Sequence, residues 1–269
     1  MVDAGTREII DDWSMVVDLT DNLDSPVSYY ACKDIERIEN AVNKYIRSTF
    51  MLHAVQQYKR CNIDEALRVL KEENNNSDAY YRVKLEVIEN TLPGKDEKEF
   101  DKLDFAEMLS LFPEEDYFNK LIHVYEKSIV ANRVYKYFPA FIDCVSMKNS
   151  PSMLLADSRS RRHPRRGVLG SKLLETLVQL LVLRQKEDGS YETHSLSIED
   201  LASEISNRYG LIINGVHEKR FADADVEMNA AFKVNMDAFK NKLRQIGFYT
   251  DMSDACILQK IRPRYKLDE

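Results

Sequence analysis

"GVLGSKLLETLVQLLVLRQKEDGSYETHSLS" spans residues 167–197, and its reading decides the fold of the C-terminal half. Leu173, Leu174, Leu177, Leu180, Leu181 and Leu183 recur at helical spacing, which predicts a strongly apolar helix running toward "QKEDG". Gly189 breaks it, because a residue without Cβ loses the most backbone freedom in a helix. "SYETHSLS" then supplies a short strand. Ser197 stands three residues before Asp200, the spacing of a capping box that satisfies two backbone N–H groups at a helix start. The helix it opens carries Ile198, Leu201, Ile205 and Tyr209 on one face and ends at Gly210.

Further along, a long connection runs from Leu211 to Ala224 and opens with "LIING". A third helix is expected over about 225–246, with Met228, Phe232, Met236, Phe239, Leu243 and Ile246 close to a seven-residue repeat. Lys233, Lys240 and Arg244 fall on the opposite face. After Gly247, "FYT", "DMSD" and "ACILQKI" read as strand, turn, strand. Helix, short strand, helix, helix, hairpin is an order that resembles the winged helix-turn-helix superfamily over about residues 167–262. The resemblance implies a DNA-binding domain whose third helix lies at the duplex. Two departures fit a winged helix that contacts protein instead. The second connection has about 14 residues, against the 3–4 of a tight helix-turn-helix. The hairpin tip carries Asp251 and Asp254, which phosphates repel.

Immediately upstream stands "SRSRRHPRRG", residues 158–167, in a chain of formal net charge −7. Five arginines, Arg159, Arg161, Arg162, Arg165 and Arg166, crowd into this run. Their planar guanidinium forks suit phosphate oxygens better than a merely solubilising lysine does. An arm of this kind ahead of a winged helix fits DNA binding; a solvated linker or a patch for an acidic protein, including this chain's own acidic half, are the competing readings. Lys172 follows at the start of the leucine helix. The candidate nucleic-acid contacts are therefore Arg159, Arg161, Arg162, Arg165, Arg166, Lys172, Lys233, Lys240 and Arg244.

Charge changes sign near the same place. Residues 1–150 hold 19 basic and 28 acidic side chains, a net of −9; residues 151–269 hold 19 and 17, a net of +2. The expected organisation is an acidic, all-helical, protein-docking domain over 1–150, an Arg-rich linker or arm over 151–167, and a winged-helix domain with a small β-hairpin over 168–269. The fold class is mostly α. In the N-terminal part, Ile35, Ile38, Val42, Tyr45, Ile46 and Phe50 mark a helix from Asp34 to Tyr58. Asn62 caps the next, with Asp64 and Glu65 in its first turn. A third runs from Asp78 to Leu92 and stops at "LPG", and a fourth covers about 97–111. Pro113 with the following acids reads as the start of a helix carrying Tyr117, Phe118, Leu121, Val124 and Tyr125, ended or kinked at Pro139. Its aromatic residues follow one helical face, so they read as core.

No motif of catalysis stands out. "RRGVLGSK" has Gly167 and Gly170 three apart and Ser171 before Lys172, which is not the glycine and lysine spacing of a phosphate-binding loop. Its helix start at Gly170 and Ser171 could still meet a backbone phosphate. "KDEKEF" sets Asp96, Glu97 and Glu99 around Lys98, but in a helical context without the strand a metal nuclease needs. Cys32, Cys61, Cys144 and Cys256 are far apart, and the five histidines are scattered, so no metal or cofactor is expected. No apolar run reaches the ~18 residues of a membrane span, and the N-terminus lacks a secretion signal, which points to a cytoplasmic protein. The sequence therefore leads to a non-enzymatic subunit that binds double-stranded DNA with weak sequence preference inside a larger protein assembly. Such a part suits bacterial DNA processing or anti-phage defence. The alternative is a protein-only scaffold or adaptor, and a cryptic nuclease subunit comes third.

Overall fold

The computed structural model describes residues 13–72, 79–91, 107–127, 135–156, 165–249 and 261. It is mostly helical and divides into two compact units. One contains the described residues from 39 to 141; the other combines 13–38 with the described residues from 142 to 261.

In the first unit, helix α1 (Pro26–Lys59) contributes its stretch from Glu39 onward, followed by α2 (Ile63–Glu72), α3 (Ala79–Thr91) and α4 (Tyr117–Tyr125). The Asn62 side chain accepts the Glu65 N–H at 2.9 Å, the cap its position implied. Helix α4 begins later than Pro113 suggested. Asp116 is its N-cap, with Oδ1 accepting the Asn119 N–H at 3.1 Å, so a side chain that satisfies an orphan donor wins over proline's fixed φ. Met51, Val55, Tyr81, Leu85, Phe118, Leu121 and Ile122 form the core, with the Tyr81 and Phe118 rings edge to face at 5.0 Å. Of the tyrosines and phenylalanines read as core from their spacing, Phe118 is buried there and Phe50, Tyr117 and Tyr125 pack against it, while Tyr45 is exposed.

Helix α5 (Tyr135–Val145) holds Pro139 inside it rather than ending at it.

The second unit is assembled around long-range strand pairing. β1 (Met15–Val16) runs parallel to β6 (Leu211–Ile212), with Met15 opposite Leu211. β2 (Leu155–Ala156) pairs antiparallel with β3 (Arg166–Gly167), and an Asp18–Val168 bridge ties the two pairs together. Helix α6 (Ser171–Leu181) stops eight residues before Gly189, because β4 (Leu183–Gln185) pairs with β5 (Tyr191–Thr193). The expected single strand is thus a hairpin, with Gly189 in its turn at φ 85°. Helix α7 (Ile198–Tyr209) has the full capping box of Ser197 and Asp200 and ends at Gly210, φ 66°. Helix α8 (Val226–Gln245) follows, capped by Asp225. The hairpin expected after Gly247 lies almost wholly outside the described residues. Ile261 is described, and its N–H donates to Leu196 O at 2.8 Å.

Leu174, Val178, Leu181, Ile198, Leu201, Ile205, Phe239, Leu243 and Phe248 make the main core of this unit. A smaller one joins Val16, Val27, Ala31 and Ile212 to Ala231 and Phe232 of α8. Asn235, fully buried on α8, fastens the strands: Oδ1 accepts the Leu19 N–H, and Nδ2 donates to Val17 O and Ile213 O. Asp34 accepts the Val16 N–H at 2.7 Å and pairs with Arg37 and Arg220, both of which also donate to Ser14 O.

The charge-based boundary near residue 150 therefore differs from the division found in the structure. Residues 13–38 belong with the C-terminal unit, because strand pairing and buried polar bonds hold them there. Residues 12–38 contribute two basic and six acidic side chains. With them the unit 12–38 plus 142–269 carries 22 basic and 24 acidic residues, a net of −2 in place of +2.

Candidate functional site

The arginine run divides by environment. Arg159, Arg161 and Arg162 lie outside the described residues. Arg166 is drawn inward because β3 pairs with β2 and its neighbour Val168 bridges Asp18. Its Nε donates to Asp18 Oδ2 at 2.9 Å, with 9% of the arginine side chain and none of the aspartate exposed. Asp18 Oδ1 accepts the Thr20 N–H at 2.8 Å and hydroxyl at 2.7 Å. A charge buried this far is stable only when paired and hydrogen-bonded, so the pair is part of the fold. Reaching a phosphate would strand Asp18. Nearby Cys32 is buried, and burial pushes its thiol above the usual range, away from thiolate reactivity. Arg165 Nη2 lies 2.9 Å from Asp143, whose other oxygen takes Lys148 Nζ at 2.6 Å.

The remaining candidates stand on α6 and α8. Lys172 is exposed and faces Glu175 at 3.3 Å. Lys233 is exposed on the outer face of α8. Lys240 is half-buried, 3.9 Å from Glu199 of α7. Arg244 is exposed, donates to Asn241 Oδ1 at 2.9 Å and lies over the Tyr249 ring. The helix does bring Lys233 and Arg244 to the solvent side, as their spacing implied. It brings Glu227 and Asp237 there as well, so the face is close to neutral. Lys242, not singled out from the sequence, is held by Asp21 at 3.0 Å. The start of α6 is also closed by its own chain: Gly170 N–H donates to Met153 O and Lys172 N–H to Pro151 O. Gly170 is needed because a Cβ there would sit 2.3 Å from Pro151 O.

Sequence reasoning passed over a different surface. On α5, Tyr137, Phe138 and Phe141 are 63%, 40% and 58% exposed, and the two phenylalanine rings stack at 6.3 Å. Phe141 lies four residues after Tyr137 and three after Phe138, so on the helix surface it neighbours both. The signal was "YFPAF", hidden because Pro139 suggested the helix stopped. Aromatic residues are enriched where proteins meet and carry much of the binding energy there.

Among the described residues, no cluster of His, Cys, Asp and Glu has the arrangement to hold a metal ion. No described helix is long and apolar enough to cross a membrane. Asp96, Glu97 and Glu99 fall outside the described residues.

A family model described as methylation-associated defense system protein MAD7 matches residues 2–265. No curated protein and no solved structure matches the chain.

Proposed function

The chain belongs to the MAD7 family of methylation-associated defense system proteins, and from that premise we propose that it is a non-enzymatic docking subunit that joins a defense assembly through protein contacts. One observation carries this reading: of its cationic candidates among the described residues, Arg165, Arg166, Lys172 and Lys240 each face a carboxylate of the same chain, while α5 exposes Phe138 and Phe141, and most of Tyr137, to solvent. Charges already matched within the fold offer little counterion release to a phosphate backbone. Exposed aromatic side chains gain most from being covered by a partner. In this role the net-negative surface keeps the free subunit soluble until it is incorporated.

A second reading, DNA binding through the C-terminal unit, is favoured by a separate observation. The bond from Ile261 to Leu196 returns the chain end to the segment between α6 and α7, as a hairpin closing a winged helix does, and Lys233 and Arg244 face solvent on the third helix of that order. Both readings are tested by co-expressing the chain with the other proteins of its defense system, followed by size-exclusion chromatography with light scattering. Docking predicts a complex of defined stoichiometry that the Tyr137→Ser, Phe138→Ser, Phe141→Ser variant does not enter. If that variant enters as well as the parent, the α5 face is not the docking surface.

A further inference from the structure

Between the loop after β1, the loop before β2 and the end of α8 lies a groove of about 570 Å³ within the second unit. Asp21, Asn149, Ser150, Ser171, Lys242 and Gln245 bring its polar side chains together. We propose that this groove takes a phosphate group, as monoester or diester, by displacing Asp21 from Lys242. The two partners of this ion pair are unequal: 14% of the Lys242 side chain is exposed, against 68% of Asp21. The cation is fixed on a packed helix and largely out of water before any ligand arrives. Its counter-ion stands on the solvent side, and a pair with so exposed a carboxylate is weak because water screens it. Asp21 thus occupies the place of an anion without binding it tightly.

The other lining groups favour phosphate over a carboxylate. Two hydroxyls and two amides supply several donors, and a tetrahedral oxyanion offers more acceptor oxygens than the two of a carboxylate. The volume lies within the ~300–1,000 Å³ of small-ligand sites, so the phosphate can carry a further group. The site does not depend on the helix start beside it, since the Lys172 N–H is already bonded to Pro151 O. It is also independent of the docking proposal, because no residue of α5 lines it.

The test is calorimetric titration of the full chain with inorganic phosphate at constant ionic strength, with chloride as control. The parent should show saturable binding. Asp21→Asn removes the competing charge and keeps the side chain's size; it should tighten binding two- to fivefold, the range that up to ~1 kcal/mol allows. Lys242→Met should abolish the signal, and Lys242→Gln should do the same where the methionine variant fails to fold. The exposed Lys219→Gln, away from the groove, should leave it unchanged. A short duplex that competes with phosphate identifies a nucleic-acid backbone as the source; a duplex that does not compete identifies a free phosphate monoester. The inference is overturned if Asp21→Asn binds no better than the parent, if the folded Lys242 variants bind as the parent does, or if neither parent nor Asp21→Asn shows saturable heat.

Discussion

Replacing Arg166 with alanine distinguishes an arginine that holds the fold from one that holds a phosphate. The Asp18 carboxylate is fully buried and pairs with Arg166 Nε at 2.9 Å. Removing one partner of a buried pair leaves an uncompensated charge and costs about 3–5 kcal/mol. Asp18 keeps the N–H and hydroxyl of Thr20, which places the expected loss near the lower end, about 3 kcal/mol. For a unit of this size that lowers the melting temperature by about 6–12 °C. Arg165→Ala should cost less than ~1 kcal/mol, because that side chain is partly exposed and Asp143 retains Lys148. Combining Arg166→Met with Asp18→Asn should recover much of the loss, since neither substituted side chain is charged. Chemical denaturation and calorimetry of the parent and these three variants measure this directly. An Arg166→Ala protein that melts with the parent but loses DNA binding would refute the structural assignment.

Other consequences follow from the same packing. Asn235→Ala orphans the Leu19 N–H and weakens the hold on Val17 O and Ile213 O, so unfolding should become easier by about 2–4 kcal/mol in a urea titration. A fragment of residues 142–269 should lack cooperative unfolding by circular dichroism, and adding a peptide of residues 12–38 should restore it, because the segment supplies β1, Asp18 and Asp34. Burial holds the His123 pKa below the usual histidine value near 6.5, with Lys127 and Arg47 pushing the same way and Glu126 opposing. The folded state therefore binds fewer protons than the unfolded chain just below that value. Stability from this site is complete above about pH 6.5 and is lost as the pH falls further; His123→Gln should flatten that part of the stability–pH curve.

Features governed by neighbouring residues were legible in the sequence. Asn62 capping α2, the Ser197–Asp200 box and the glycines after α7 and α8 each act within a few residues, and their side-chain chemistry is visible in the string. The leucine run was misread beyond Leu181 because leucine spacing continues past the helix, while β4 exists only by pairing with β5. The placement of residues 13–38 had no local signal at all. Met15 meets Leu211, Asp18 meets Arg166 and Asp34 meets Arg220, pairings separated by about 150 residues or more, and charge counting assigned those acids to the wrong unit. The same distance explains the arginines. A run of like charges looks free in sequence, and only the fold shows that Arg165 and Arg166 already have carboxylates. Helix α1 was expected from Asp34 but begins at Pro26; the signal passed over was "SPV", where the Ser25 hydroxyl accepts the Val27 N–H and Pro26 takes the first helical position.

The most direct test of the docking proposal sets protein binding against DNA binding in one preparation. The purified chain is titrated by fluorescence anisotropy with duplex DNA at several salt concentrations, and the same protein is mixed with the co-expressed defense-system proteins for size-exclusion chromatography. The account predicts a stable complex lost in the Tyr137, Phe138 and Phe141 variant, together with DNA affinity whose salt slope stays shallower than about −2, equivalent to no more than ~2 neutralised phosphates. A chain that enters no complex, yet binds DNA with a slope near −4 to −5 that flattens when Lys233 and Arg244 are replaced, would contradict it and put the DNA-binding reading in its place.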